Sequence, residues 1–282
     1  MVIIMKISVA SDLHLEFGFY DIKNDHDAHV LILAGDIIVA RMLELDSTVR
    51  SCIIDWFRNT CKLYEHVFYV VGNHESYDYN IQLTVPFLKT QLDKHINNLH
   101  ILDNEVFEYD NVKFLGGTSW TNMNGDDPLT HLSVGDNMND FHIIRNYDPG
   151  LDYTNRSDSE MFYLGRNKKF TTQDAVKRHN EYIDFLNDNL DKQKKNVVIS
   201  HHPLSLQFVH EKYKHDRELN GGYCSDRDQL FLNHSEIALY ACGHCHHSQQ
   251  VQIGQTTCIL NARGYAGREP QADNFELKTV EI

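Results

Sequence analysis

The 282-residue sequence predicts an α/β fold built on mixed β-sheets. Two observations carry that expectation. Through the first third, short apolar β-branched runs alternate with stretches of helical spacing. After about residue 195 the chain reads mainly as strands.

The first run, Ile3–Ala10, reads as a strand that opens the fold. It has no basic leader and no small-residue cleavage site, so it is not expected to be an export signal. Met5 is an alternative start. His29–Ala34 and Val67–Val71 are further strands, and Met42–Leu63 and Gln82–His95 have mostly helical spacing. Glu105–Tyr109 and Val112–Leu115 predict a hairpin across Asp110-Asn111. Thr172–Leu190 predicts an amphipathic helix with Val176, Ile183, Leu186 and Leu190 on one face, and Val197–Ile199 predicts a buried strand. Ile237–Ala241, Gln249–Ile253, Thr256–Leu260 and Phe275–Ile282 complete the strands, with Gly254-Gln255 as a hairpin turn. Thr121–Phe170 stands apart: it is rich in Asp, Asn, Gly and Tyr and poor in periodic apolar residues. So long an irregular stretch is usually functional or disordered, and a lid or insertion at 121–170 beside a site is the favoured expectation. Gln207–Tyr223 is a second irregular segment that could reach the same rim. The whole of 1–282 is expected to form a single domain.

Hydrophobic content of 41% with 23% charged residues fits a soluble globular protein, and no apolar stretch is long enough to span a membrane. The formal charge of −14 weighs against broad nucleic-acid binding. It does not exclude a nucleotide substrate, because bound cations would make a site locally positive. The six cysteines are expected to be reduced thiols in the cytoplasm. Cys242-Gly243-His244-Cys245-His246 formally matches a redox pair and a haem attachment site. The flanking strands argue against the first, which wants a helix start. The lack of an export signal argues against the second.

Five short motifs punctuate this framework: Asp12-Leu13-His14, Gly35-Asp36, Gly72-Asn73-His74-Glu75, Ser200-His201-His202-Pro203 and Gly243-His244-Cys245-His246. Any one alone is an ordinary turn or helix cap. Together they are rich in hard and borderline metal ligands, and at least the first four directly follow an apolar run. Strands ending in such loops would converge Asp, Asn and His side chains on one spot. Eighteen histidines are many, and those outside the motifs, such as His95, His179 and His215, are expected at the surface or in structural roles.

With the five motifs in this order, the chain resembles the calcineurin-like metallophosphoesterase family from about Lys6 to about Gly264. Asn261-Ala262-Arg263-Gly264-Tyr265 resembles an Asn-Pro-Arg-Gly-Tyr segment of a bacterial and phage-type branch, with Ala262 in place of Pro. The resemblance implies a four-layer αββα sandwich of two mixed β-sheets flanked by helices. It also implies two divalent metal ions, which can clamp a phosphate and activate water. Asp36 would bridge them. Asp12, His14, Asp36 and His246 would hold the first, and Asp36, Asn73, His201 and His244 the second. Such mixed ligands suit Mn, Fe, Zn or Ni, with Mn favoured.

His74 would protonate the leaving group, with Glu75 as its orienting partner. Arg263 would bind phosphate, and His202 would contact phosphate or support the ligands from behind. Asn73 would also lie against the substrate. The expected activity is metal-dependent hydrolysis of a small or nucleotide-like phosphoester, as a phosphodiesterase or phosphomonoesterase. The alternatives are a catalytically silent binding protein of the same fold, or a nuclease. The oligomeric state is not legible.

Overall fold

The strands near the site are apolar on both faces, and their placement gives the reason. Val30–Ala34 is buried at every position, as expected of a central strand covered on both sides. The computed structural model describes residues 4–44, 47–92, 94, 96–151, 157–163, 165 and 167–282. Ile3 and His95 lie outside the described residues, as does part of 121–170.

Among the described residues the strands are β1 (Lys6–Ala10), β2 (Val30–Ala34), β3 (His66–Val70), β4 (Leu99–Ile101), β5 (Glu105–Tyr109), β6 (Val112–Gly116), β7 (Lys195–Ile199), β8 (Ile237–Cys242), β9 (Ser248–Ile253), β10 (Thr256–Asn261) and β11 (Lys278–Glu281). The helices are α1 (Ser47–Cys61), α2 (Ile81–Leu92), α3 (Met123–Asp126), α4 (Pro128–Asn137), α5 (Asp140–Ile143), α6 (Asp158–Tyr163), α7 (Thr172–Asn189), α8 (Arg217–Tyr223) and α9 (Asp228–Asn233). One sheet has the order β11-β1-β2-β3-β4 and the other β5-β6-β7-β8-β10-β9. Both are mixed. In the first, β1 to β4 are parallel and β11 is antiparallel. In the second, β6, β7, β8 and β10 are parallel, with β5 and β9 antiparallel at the edges.

The sheets pack face to face. Ile7, Val9, Ile32 and Phe68 of the first meet Phe114, Val197, Leu239 and Ile259 of the second. The rings of Phe68 and Phe114 stack with centroids 4.2 Å apart. Alternate residues face outward: Leu31, Leu33 and Tyr69 pack with Phe57 of α1 and Leu88 of α2. Val198, Tyr240 and Leu260 pack with Tyr182 and Leu186 of α7 and Phe231 of α9. The result is the expected αββα layering.

The hairpins stand where the turn residues place them. Tyr109 pairs with Val112 across Asp110 and Asn111, which have φ of 47° and 61°, the left-handed pair of a type I′ turn. Ile253 pairs with Thr256 across the second turn. α7 opens with a capping box: the Asp174 amide donates to the Thr171 hydroxyl (3.1 Å) and the Thr171 amide to the Asp174 carboxylate (3.0 Å).

Several boundaries differ from expectation. A 3₁₀ turn at Ala40–Leu43 takes the start of the helix expected from Met42. α2 stops at Leu92. β11 begins at Lys278 rather than Phe275, because Phe275 packs beside Tyr20 in the cluster on the outer face of the first sheet.

The described part of 121–170 contains α3 to α6. Trp120, Met123, Val134, Met138, Ile144 and Phe170 form a cluster with Ile81 and Ala175. Of these, α3 supplies only Met123 and α4 only Val134, while Met138, Ile144 and Phe170 lie in the connections, so no long period appears in the sequence.

Candidate metal centre

The candidate residues lie just past the carboxyl ends of β1, β2, β3, β7 and β8, the rim where open α/β sheets place their sites. At this rim the sheets are joined by a parallel bridge between Ser11 and Ala262. The motif glycines permit the close approach. A Cβ on Gly72 would lie 2.2 Å from Asp36 Oδ1, and one on Gly243 would lie 2.6 Å from Asp12 Oδ2. Four candidate ligands have left-handed backbones: Asp12, His14, Asp36 and His244, with φ of 51°, 45°, 55° and 70°. That region is uncommon for residues with a Cβ and clusters at functional sites.

Asp36 stands at the centre. Its Oδ2 lies 3.4 Å from His201 Nε2, 3.8 Å from His14 Nε2 and 4.0 Å from His74 Nε2. Its Oδ1 accepts from the His74 amide at 2.8 Å. On one side, His14 Nε2 and His246 Nε2 are 3.2 Å apart, and His246 Nε2 is 3.4 Å from Asp12 Oδ1. On the other, His201 Nε2 lies 3.0 Å from the Asn73 side-chain oxygen. Asp12, His14 and His246 therefore gather as one group, and Asp36, His201 and His244 as another. His14, Asp36 and His74 also lie close enough to form a third.

Groups with no recognisable motif hold these side chains in place. Glu16 Oε1 lies 2.9 Å from His14 Nδ1, and Glu269 Oε2 lies 2.8 Å from His246 Nδ1. The Ala34 carbonyl lies 2.8 Å from His201 Nδ1. Asn73 Nδ2 donates to Asp140 Oδ1 at 2.7 Å, which turns the amide oxygen toward His201. Binding one ring nitrogen to a carboxylate or carbonyl leaves the other free as a ligand, the usual arrangement behind metal-binding histidines. Sequence reasoning missed Glu16, Glu269 and Asp140. The one available signal was an acidic residue two positions after His14.

The electrostatics suit cations. Burial alone would raise the Asp36 carboxyl, but His201, His74 and His14 override it and hold it well below the usual carboxylate range. Burial opposes a charge on His201, yet Asp36 and Asp12 push that ring up to about 10. His246 is likewise pushed to about 10 against burial, by Asp12 and Glu269. Burial pushes His244 well below its ordinary value, so it stays neutral, and its buried Nε2 has no hydrogen-bond partner among the described residues. Two carboxylates, four imidazoles and one amide oxygen converge here, one imidazole with an unsatisfied nitrogen. This donor set fits divalent cations of the first transition row.

Two expected residues stand elsewhere, and a third takes one of its two expected places. Glu75 does not orient His74. It turns back under the sheet, where its carboxylate accepts from the amides of Gly72 (2.7 Å), Asp36 (3.1 Å) and Ile37 (2.8 Å) and the Tyr69 hydroxyl (2.6 Å). Glu75 thus ties the second and third motifs together. Arg263 does not face the cleft described below. Its Nη1 donates to the carbonyls of Leu13 (3.0 Å) and Gly18 (2.7 Å), and its guanidinium lies over Tyr20. His202 makes no wall of that cleft, which leaves the supporting alternative: it is buried behind His244, between that ring and Trp120, with centroid distances of 4.2 and 4.8 Å. His179 is structural: it accepts from Arg227 Nε at 3.0 Å.

A cleft of about 730 Å³ opens over Asp36, Asn73, His74, His244 and His246. Asn137–Asp140 forms part of one wall, and Val209–Tyr213 with Tyr223 part of another. Both irregular segments of the sequence thus reach the rim. Tyr265 also faces the cleft, with its hydroxyl 3.3 Å from His74 Nε2.

A family model described as calcineurin-like phosphoesterase matches residues 5–248. Uncharacterized protein L509 of Acanthamoeba polyphaga mimivirus is 27% identical over 281 residues, an alignment covering 91% of this chain and 90% of that protein. The structure of phosphopantetheinyl hydrolase (PptH) from Mycobacterium tuberculosis superposes with a TM-score of 0.60 at 13% identity, over 98% of this chain and 96% of that one. A dimetal phosphatase from Danio rerio gives 0.52 at 14% identity, over 98% and 91%. At these identities the structural likeness is one of fold. The match over residues 5–248 goes further, and by it the chain belongs to the calcineurin-like phosphoesterase family.

Proposed function

We propose that this protein is a metal-dependent hydrolase of phosphoric esters acting on a small or nucleotide-like phosphoester held in the cleft. The observation that carries the reading is the setting of Asp36, one buried carboxylate faced by imidazoles on both sides. In this reading Asp12, His14, Asp36 and His246 hold one cation, and Asp36, Asn73, His201 and His244 hold the other. Asn73 supplies a neutral oxygen, which binds without cancelling the positive charge. Mn is the favoured metal among Mn, Fe, Zn and Ni. When bound, such a pair polarises phosphoryl oxygens and makes a water nucleophilic near neutral pH.

The chain's own residues do the rest. Burial alone would lower the His74 ring's affinity for a proton, but Asp36 and Glu16 raise it above the ordinary histidine value. The protonated ring borders the cleft, where it can hand its proton to the departing oxygen. Tyr77 stacks on the ring with centroids 4.0 Å apart and limits its swing. The wall at Asn137–Asp140 is read as the part of the 121–170 insertion that selects the substrate. A cytoplasmic setting, in which the six free thiols would stay reduced, is part of this reading.

The test is a panel of mono-, di-, cyclic and pyrophosphate esters offered to protein stripped with chelator and then reloaded with Mn. Turnover of at least one ester is expected, lost on stripping and regained on reloading. A stripped protein as active as the reloaded one, or no turnover with any first-row metal, would overturn the reading.

A further inference from the structure

We propose that Glu16, and not Glu75, is the carboxylate that positions His74, and that it holds His14 with the same oxygen. The consequence for turnover rests on the phosphoester-hydrolase reading; the placement rests on geometry. Glu16 Oε1 lies 2.9 Å from His14 Nδ1 and 3.5 Å from His74 Nδ1. The two rings meet edge to face with centroids 4.5 Å apart, so one carboxylate reaches both. Glu16 Oε2 is buried and has no partner among the described residues, so the group keeps acceptor capacity beside the two rings. Glu75 has none to spare, being engaged by three amides and a hydroxyl.

The position of Glu16 is itself secured. It sits in the 3₁₀ turn Leu15–Phe17, whose Leu15 amide donates to the Ile37 carbonyl at 3.0 Å and whose Leu15 side chain is buried. Arg263 fastens both flanks of the turn through Leu13 and Gly18. The guanidinium expected to bind phosphate thus fixes the loop that carries Glu16.

His74 is held on three sides: Glu16 at Nδ1, Tyr77 against the ring face and Tyr265 near Nε2. A ring held at Nδ1 presents Nε2, beside the Tyr265 hydroxyl, to the cleft. Glu16 therefore acts as a positioning residue for two groups, a metal ligand and a proton donor.

The experiment uses the 282-residue protein at saturating Mn with an alkyl and a nitrophenyl phosphoester. Glu16→Ala, Glu16→Gln and Glu75→Gln are each made alone and with His74→Ala. Glu16→Ala is expected to lower kcat on the alkyl ester by roughly 10–100-fold, the usual scale for such supporting groups. KM and nitrophenyl turnover should change much less. Glu16→Gln, which keeps an acceptor oxygen, should recover part of the loss. In the His74→Ala background Glu16→Ala should lose its preference for the alkyl ester, leaving only the smaller effect on both esters that comes through His14. In metal-free protein, the His74 ring ¹⁵N resonances should move in Glu16→Ala and stay put in Glu75→Gln.

Equal slowing of both esters by Glu16→Ala, persisting in the His74→Ala background, would assign Glu16 to His14 alone and overturn the proposal. An alkyl-selective loss in Glu75→Gln would also overturn it. If the wild-type protein hydrolyses no ester, the functional reading fails and the ¹⁵N spectra decide the placement: unmoved His74 resonances in Glu16→Ala sink it.

Discussion

Asn73 and Asp140, 67 positions apart, are joined by a 2.7 Å hydrogen bond from the Asn73 amide to a buried carboxylate. The bond ties a candidate ligand after β3 to the 121–170 segment. It also decides which end of the Asn73 amide faces His201. Asp140→Ala should leave the Asn73 amide without this acceptor. The weaker-bound of the two cations should lose roughly 10–100-fold in affinity by metal titration, while Asp140→Asn, which keeps an acceptor oxygen, should lose less. Unchanged metal affinity in Asp140→Ala would show that Asn73 is oriented by other means.

Asp36 is assigned to both cations, so Asp36→Asn should disturb both at once. Elemental analysis should show metal content falling toward none, and hydrolysis should drop by orders of magnitude. Two metals retained with near wild-type turnover would remove Asp36 from the shared position.

His74 is assigned to the leaving group. His74→Ala should keep both metals and lower kcat by roughly 10²–10⁴-fold on esters with poor leaving groups, the scale of general acid catalysis. Nitrophenyl esters need little protonation and should suffer far less. Loss of metal in this variant would instead make His74 a ligand, as its closeness to His14 and Asp36 also allows.

Metal loading should expel protons. In the metal-free protein His201 and His246 are held near 10, so both rings carry a proton at pH 7 and must lose it to become ligands. Raising the pH toward 10 removes those protons in advance, so apparent metal affinity should rise with pH. Calorimetric heats at pH 7 should depend on the ionisation enthalpy of the buffer. Heats independent of buffer would show that the rings are already neutral.

The thiols beside the site are expected to be spectators. Cys242 is buried between the second sheet and α7, and Cys245 Sγ lies 3.6 Å from Cys224 Sγ. A Cys242→Ala/Cys245→Ala protein should retain metal and most hydrolysis, with a stability loss of about 1 kcal/mol by denaturant unfolding. A fully folded but inactive double variant would make one of the thiols functional.

Much of the framework is legible in the sequence for a simple physical reason. Strands must be apolar where both faces are covered, so β2 and the inner residues of β3 and β7 stand out, and each motif glycine marks where backbones crowd the ligands. The supporting groups are not legible. Glu16, Asp140 and Glu269 sit in turns, a four-residue helix and a loop, where no period constrains the side chain. Glu75 and Arg263 show the opposite failure. They occupy motif positions, but their side chains point away from the cleft and bind backbone. A motif fixes where a Cα lies; the direction of a long side chain depends on contacts from distant parts of the chain.

The left-handed backbones of Asp12, His14, Asp36 and His244 have one more consequence. Each such residue costs about 1–2 kcal/mol relative to its relaxed conformation, a penalty glycine escapes. Replacing Asp36 by glycine should therefore give a higher melting temperature than replacing it by alanine. The same holds at the other three positions. The backbone strain at these four positions is thus carried for the sake of side chains that glycine cannot supply.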